Sequence, residues 1–207
     1  MSTSHESAAH WDATYALGES TRSWFQDRPD QSLRLLDVAE VPPRASIIDV
    51  GGGASTLAGA LLDRGGTDIT VLDISATGLA HARERLGAQA GHVHWIQADV
   101  LTWQPERTYH AWHDRALFHF LTTDQAQRQY LLTMDAATTP GSVAVFGCFA
   151  PDGPHQCSGL PVTCYGVDDL ATRLGRHWKP IEDDREEHHT PDGTPQPFTW
   201  AAFRRQP

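Results

Sequence analysis

The segment ASIIDVGGGAS, residues 45–55, joins a short apolar run to three consecutive glycines. An apolar run of this length that ends at glycine is typical of a buried strand. Glycines allow the backbone to turn sharply and to approach a ligand closely. The following residues, STLAGALLDRG at 55–65, have helical spacing and end at glycine. The segment therefore predicts a strand, a tight turn and a helix.

The same alternation continues along the chain, with strands predicted at 68–74, 92–100, 109–114 and 142–150 and helices at 76–87 and 124–141. Short strands separated by helices indicate βαβ units around a parallel sheet. After residue 150, an irregular loop and a helix at 167–175 precede two further strand candidates, 177–189 and 197–205. Their short connection favours an antiparallel hairpin at the sheet edge. The predicted fold class is a doubly wound α/β domain with a mostly parallel, Rossmann-like sheet.

The N-terminal part of the chain differs from this pattern. Residues 1–9 are predicted to be a disordered tail, and the first ten residues have neither the basic flank nor the apolar stretch of a signal peptide. Two helices are predicted within residues 10–40, at 10–18 and 31–40. The predicted organisation is a single domain, 10–207, made of a helical segment (10–40), a core (45–150) and a C-terminal loop, helix and hairpin (151–207).

Composition narrows the possible partners and surroundings of the protein. Sixteen basic and 26 acidic residues give a net charge of −10, and a nucleic-acid-binding protein usually presents a basic face. No apolar run approaches the roughly 18 residues that a membrane span needs, so we expect neither nucleic-acid nor membrane binding. Three cysteines without a CxxC pair favour a reducing, cytoplasmic setting. The sequence does not predict an oligomeric state.

Four predicted strands end in an aspartate: Asp49, Asp73, Asp99 and Asp114. Aspartate commonly ends strands and caps helices, which is the structural explanation for any one of them. In open α/β sheets, however, ligands bind beyond the carboxyl ends of the strands. Four acids on one edge, beside a glycine turn, therefore predict a binding site.

The glycine turn does not match the common nucleotide-phosphate loops. A dinucleotide fingerprint would need glycine or alanine where Thr56 stands, and a Walker loop would need a lysine that is absent here. A carboxylate at Asp49 would repel a pyrophosphate and attract an ammonium group. Asp73 is placed to accept from ribose hydroxyls, and Asp99 can accept from an exocyclic amine. An amino acid, a ribose and an adenine together describe S-adenosylmethionine.

Three segments, IIDVGGGAS, VLDIS and IQADV, resemble the first three motifs of the class I S-adenosylmethionine-dependent methyltransferases. The third glycine of the family's first motif is replaced by Ser55. YHAWHDRALFHFL at 109–121 is similar to the family's fourth-strand segment, so the resemblance covers residues 10–150. It implies a seven-stranded sheet with an antiparallel last strand. WDATY and SWF, within residues 10–40, resemble a helical lid over the cofactor.

The resemblance also implies which residues bind S-adenosylmethionine and its product, S-adenosylhomocysteine. Asp49 and Gly51 should contact the methionine end, Asp73 the ribose and Asp99 the adenine, with Ile74 and Val100 against the adenine faces. The complete predicted set is Asp49, Gly51, Gly52, Gly53, Ser55, Asp73, Ile74, Asp99, Val100, Asp114 and Trp24.

Residues that would contact the methyl acceptor are less clearly indicated by the sequence than those that would contact the cofactor. Candidates for catalysis follow the fourth strand: His119, Asp114 and Arg115. Methyl transfer needs alignment, exclusion of water and, for weak nucleophiles, a base, so a dedicated catalytic residue is not required. His119 lies in the apolar context ALFHFL, where a core histidine is the alternative, and Arg115 can simply pair with Asp114. Four tryptophans form either an aromatic cage for the acceptor or ordinary core: Trp11, Trp24, Trp112 and Trp178.

Cysteine and histidine side chains in the C-terminal part are candidates for metal binding. His155, Cys157, Cys164 and His188 are types that bind zinc, but their spacing matches no metal motif, and no metal is predicted. A soft substrate for Cys157 is a further alternative. The predicted function is an enzyme that methylates an O, N or S atom of a small molecule. A protein lysine methyltransferase and a non-catalytic cofactor-binding module are the alternatives.

Overall fold

A computed structural model describes residues 4–18 and 23–207 of the chain. Its helices are α1 (Ser4–Ala16), α2 (Asp30–Val38), α3 (Leu57–Asp63), α4 (Ala76–Leu86), α5 (Asp124–Ala136) and α6 (Val167–Leu174). Its strands are β1 (Ile47–Val50), β2 (Ile69–Asp73), β3 (Val93–Gln97), β4 (Ala111–Arg115), β5 (Val143–Phe149), β6 (Gln156–Cys157), β7 (Leu160–Pro161), β8 (Trp178–His189) and β9 (Pro195–Arg205). Short 3₁₀ turns occupy Gly87–His92 and Phe118–Phe120.

Seven strands form one sheet in the order β3-β2-β1-β4-β5-β9-β8. The pairs among β1 to β5 are parallel, and β9 pairs antiparallel with both β5 and β8. The predicted α/β fold, with its antiparallel C-terminal hairpin, is confirmed. Since the chain crosses from β3 to the far side of β1, the sheet has its topological switch point between β1 and β4, where such folds place their ligand.

Helices cover both faces of the sheet, as the alternating side chains of its strands require. On one face, Leu35 of α2 and Leu57 of α3 pack against β1, β2 and β5. On the other, Tyr130 of α5 and Leu170 of α6 pack against Trp112 and neighbouring strand residues. In the described residues, no helix is long and apolar enough to cross a membrane.

Three local predictions are wrong. Residues 4–9, expected to be disordered, belong to α1, which is held against α4 by Asp12; residues 1–3 lie outside the described part. The third strand ends at Gln97, so Asp99 lies in the following loop. The segment 151–164, expected to be irregular, contains the small β6–β7 hairpin. A contact between distant segments, which local patterns do not report, decides the first case.

Candidate active site

The glycine turn after β1 is tightly packed against three other segments. Gly51 and Gly53 have φ angles of 70° and 40°, which L side chains rarely adopt. A β-carbon at Gly51 would lie 2.5 Å from the side chain of Leu117, and one at Gly52 would lie 2.7 Å from Asp49 Oδ2. A β-carbon at Gly53 would overlap the hydroxyl of Tyr15. The turn therefore brings backbone, Asp49 and the N-terminal helix to the same place.

Two adjoining cavities open at the carboxyl ends of β1, β2 and β4. The larger, of about 780 Å³, extends from the end of β2 to the β6–β7 hairpin. The smaller, of about 40 Å³, lies beside the glycine turn. Tyr15, Trp24, Gly51 and Arg115 line both cavities. This position at the switch point agrees with the general rule for open α/β sheets.

Asp49 is the acidic residue that lines the smaller cavity, and it is 2% exposed. Its Oδ1 is 2.7 Å from His113 Nδ1, and His113 Nε2 is 2.9 Å from the hydroxyl of Ser32. Asp49 Oδ2 has no hydrogen-bond partner among residues 4–18 and 23–207. A buried carboxylate oxygen without a partner is costly, so this atom is suited to a cationic ligand.

Asp73, at the end of β2, faces the larger cavity. Its Oδ1 accepts a hydrogen bond from the Ser75 backbone N–H at 2.7 Å. Burial raises the pKa of Asp73 to about 7, and the negative charge of Asp49 adds to the shift. A ligand that donates hydrogen bonds to this carboxyl would favour its charged form.

Beyond Asp73, Ile74 and Val100 form a mostly apolar slot in the wall of the larger cavity. Ile74, Asp99 and Val100, for which the sequence predicts contact with the adenine, all line the larger cavity. The Leu101 backbone N–H donates to Asp99 Oδ1 at 2.9 Å, which holds this carboxylate at the cavity wall. Of the glycine-turn residues, Gly51, Gly52 and Ser55 line the smaller cavity. Gly53 does not line either cavity, because Tyr15 covers it.

Asp114 lines neither cavity, so the structure does not support its predicted roles in cofactor binding and catalysis. Its Oδ1 accepts from the backbone N–H groups of Leu117 and Phe118 at 3.0 and 3.2 Å. The hydroxyl of Tyr130 donates to Oδ2 at 2.5 Å. Burial raises the pKa of Asp114 to about 6. This aspartate holds the turn after β4 in place.

His119, the candidate general base, is completely buried and lies outside both cavity walls. Its ring packs against Phe120 and Phe149, with centroids 4.6 and 4.7 Å apart. Burial lowers the pKa of His119 to about 3, and the nearby charge of Arg115 acts in the same direction. This burial favours the core-histidine alternative over a catalytic role.

Arg115, the third catalytic candidate, does line both cavities. Its Nη1 donates to the backbone oxygen of Trp24 at 2.7 Å, so the expected pairing with Asp114 is wrong. The guanidinium carbon lies 5.2 Å from the ring centre of Phe198. Arg115 thus connects β4 to the segment that carries Trp24.

Helix α1, which contains part of the predicted lid, lies against the glycine turn and the start of α4. Asp12 Oδ1 accepts from the Ser75 hydroxyl at 2.6 Å and from the Thr77 backbone N–H at 2.9 Å, at the start of α4. Tyr15 is buried and packs against Gly53 and Gly78. Both residues belong to WDATY, the segment that resembles a lid, but the sequence predicts no individual role for either. Helical spacing alone did not show which face would meet the glycine turn.

The segment Ser23–Gln26 continues this cover over the smaller cavity. The Ser23 carbonyl oxygen lies 2.7 Å from His188 Nε2, and Gln26 Nε2 donates to Glu186 Oε1 at 3.1 Å. The Thr56 hydroxyl donates to the Gln26 carbonyl oxygen at 3.2 Å. Trp24 is thereby held at both cavities, and its contact with the cofactor stays a prediction. Residues 19–22 of the predicted lid lie outside the described residues.

The predicted tryptophan cage is half correct. Trp11 and Trp24 line the larger cavity with ring centroids 6.0 Å apart, and Trp11 also packs edge-on to Phe120. Trp112 is buried in the core, where its Nε1 donates to the Tyr130 hydroxyl at 2.7 Å. Trp178 is likewise buried and donates to Asp135 at 3.3 Å. These two side chains belong to the core, because both contact residues of α5.

The cysteine and histidine candidates are distributed over different places. Cys157 lines the larger cavity, and burial raises the pKa of its thiol. Cys164 Sγ lies 3.8 Å from His155 Nδ1, while His188 bonds to Ser23. Among the described residues, no three His, Cys, Asp or Glu side chains are grouped as they would be around a metal ion.

Comparison with known proteins supports the assignment of the fold. Residues 47–141 match the family model of a methyltransferase domain. None of the curated proteins compared with the chain matches it in sequence. Among solved structures, the 1,6-didemethyltoxoflavin-N1-methyltransferase of Burkholderia thailandensis has a TM-score of 0.74 at 19% identity, over 100% of this chain and 92% of that one. Its structure contains 1,6-didemethyltoxoflavin and S-adenosylhomocysteine.

Two further structures are similar to nearly the same extent. The N-methyltransferase NodS of Bradyrhizobium japonicum WM9, in complex with S-adenosylhomocysteine, has a TM-score of 0.72 at 18% identity, over 94% of this chain and 97% of that one. A methyltransferase of Anabaena variabilis has a TM-score of 0.73 at 14% identity, over 100% and 96%. The chain therefore has the fold of the class I S-adenosylmethionine-dependent methyltransferases, and its residues 47–141 match the model of a methyltransferase domain.

Proposed function

We propose that the protein binds S-adenosylmethionine and transfers its methyl group to an O, N or S atom of a small molecule. The observation that carries this proposal is the unpartnered, buried Oδ2 of Asp49 beside the glycine turn. An ammonium group is the ligand that such an atom favours, because it supplies both positive charge and hydrogen-bond donors. The α-amino group of the cofactor would provide it.

The remaining wall fits the rest of the same molecule. The carboxyl of Asp73 would accept from the ribose hydroxyls, and the Ile74–Val100 slot would hold the adenine, with Asp99 at its edge. Bound in this way, the cofactor supplies an electrophilic methyl group on a sulfonium. Similar structures solved with S-adenosylhomocysteine support this choice.

The chain's own contribution to the reaction is alignment and exclusion of water. Trp11, Trp24 and Phe120 form an aromatic wall of the larger cavity, and other residues of α1 line the same cavity. A fixed, enclosed acceptor is the main requirement for an in-line displacement. Because the site is a covered cavity, a small acceptor is favoured over a protein side chain. The small-molecule acceptor 1,6-didemethyltoxoflavin in the Burkholderia structure agrees with this preference.

The test is a transfer assay with S-adenosylmethionine labelled in its methyl group, in the presence of small-molecule and protein fractions of a lysate. Label in the extractable small-molecule fraction is expected, and Asp49→Asn should reduce it at cofactor concentrations below saturation. Label only in protein would favour a protein methyltransferase. Cofactor binding without any transfer would favour the non-catalytic module.

A further inference from the structure

Arg115 stands where the two cavities meet, and the structure fixes the plane of its guanidinium. Nη1 is held by the Trp24 carbonyl oxygen at 2.7 Å, and the group lies over the ring of Phe198. Two separate contacts thus restrain the side chain before any ligand binds. A guanidinium held in this way loses little further freedom when it binds a partner.

The other edge of the same guanidinium is unused. Nε and Nη2 are both shielded from solvent, and neither has a hydrogen-bond partner in the described part of the chain. These two nitrogens direct their N–H groups in parallel, on the side away from Nη1. Buried donors are nearly always paired, so two adjacent unpaired donors on one rigid group call for a ligand. A carboxylate matches this edge with two parallel hydrogen bonds.

The acids near Arg115 do not fill this role. Glu186 uses Oε1 for Gln26 Nε2 and Oε2 for Trp200 Nε1, at 3.1 and 2.7 Å. Asp49 uses Oδ1 for His113. Both acids attract the charge of Arg115 without bonding to its free edge. Their negative charges would repel a phosphate dianion, whereas a single carboxylate can be accommodated.

We propose that the Nε–Nη2 edge of Arg115 is a carboxylate-binding site at the boundary of the two cavities. The inference rests on the proposed function, because it concerns ligands of the same site. The carboxylate has two possible sources, the α-carboxylate of the cofactor and a carboxylate on the methyl acceptor. Asp49 Oδ2 and Arg115 together would hold the zwitterionic end of the cofactor in the first case. In the second, Arg115 would select acidic acceptors.

The experiment measures binding by calorimetry to the unsubstituted protein, Arg115→Gln and Arg115→Lys, with the exposed Arg64→Gln as matched control. The ligands are S-adenosylhomocysteine, its decarboxylated analogue, and phenylacetate or the neutral phenylacetamide added to protein saturated with S-adenosylhomocysteine. If the cofactor supplies the carboxylate, Arg115→Gln weakens the binding of S-adenosylhomocysteine by about 10- to 100-fold and leaves the affinity for the decarboxylated analogue unchanged. The unchanged analogue also shows that the variant is folded.

If the acceptor is the source, both adenosyl ligands bind Arg115→Gln as they bind the unsubstituted protein. Phenylacetate then binds the unsubstituted protein and not Arg115→Gln, while phenylacetamide does not distinguish them. Arg115→Lys, which keeps the charge without the parallel donors, should recover only part of either loss. Equal binding of every ligand to the unsubstituted protein and Arg115→Gln would overturn the inference. Absence of S-adenosylhomocysteine binding to the unsubstituted protein would instead overturn the proposed function.

Discussion

Asp49 and Asp114 both end a strand of the same parallel sheet, but they face opposite sides of it. The register pairs Asp49 with His113 and Val50 with Asp114. Since successive side chains of a strand alternate between faces, His113 lies beside Asp49, and Asp114 points into the core with Val50. One aspartate is left with an unpaired oxygen at a cavity, and the other is fully satisfied by Tyr130 and a turn. A difference of one residue in register thus separates an acid at a cavity from an acid that is fully hydrogen-bonded within the fold.

The largest effect is expected from Asp114→Ala, on stability. The substitution would leave the Leu117 and Phe118 N–H groups and the Tyr130 hydroxyl without their acceptor. We expect the free energy of unfolding to fall by about 2–4 kcal/mol, as measured by urea denaturation. The folded fraction should still bind S-adenosylhomocysteine. Unchanged stability together with lost binding would mean that Asp114 belongs to the site after all.

Asp49→Asn should show the opposite pattern. It removes the negative charge at the smaller cavity but keeps a similar shape. S-adenosylhomocysteine binding should weaken by about 1.5–3 kcal/mol, because a charge-assisted hydrogen bond to the ammonium group is lost. Calorimetry on this variant and on the exposed Asp37→Asn control measures the difference. Equal affinities for the two variants would contradict the assignment of Asp49.

A smaller effect is expected at His113, which acts on the ligand through Asp49. Its two ring nitrogens connect Asp49 Oδ1 to the Ser32 hydroxyl, so the ring fixes which carboxylate oxygen faces the cavity. His113→Leu should reduce S-adenosylhomocysteine affinity by about 1 kcal/mol. His113→Asn, which can still donate near the Nδ1 position, should restore part of the loss. No rescue by asparagine would leave packing as the only role of His113.

The smallest expected effect is a pH dependence from Asp73. Its pKa is raised to about 7 in the free protein, so the folded state holds a proton that the unfolded state has released between pH 4 and 7. Its contribution to stability therefore decreases as pH rises through this window. Ribose hydroxyls favour the carboxylate, so binding should release a proton, and affinity should fall by about threefold from pH 7.5 to 6.5. Calorimetry in buffers of different ionisation enthalpy measures the release, which Asp73→Asn should remove.

The sequence predicted the sheet, the hairpin and several residues that line the cavities, because these depend on local patterns and on the shared edge of parallel strands. Asp49, Asp73 and Asp99 reach the cavities for that reason. The sequence did not predict His113 beside Asp49, since the β1–β4 register is set by distant contacts. It also predicted no role for Tyr15 or Asp12, whose positions depend on how α1 packs on α4. The burial of His119 could not be predicted, because an apolar context on a 3₁₀ turn does not show whether a ring faces a cavity or the core.

We propose that the acids at the switch point select an adenosyl amino acid over a dinucleotide. Calorimetric titration of the folded protein with S-adenosylhomocysteine, and in parallel with NADH, measures this selectivity. We expect binding of S-adenosylhomocysteine in the micromolar range and no heat of binding with NADH. Binding of NADH, or no binding of S-adenosylhomocysteine, would contradict the roles assigned to Asp49 and Asp73.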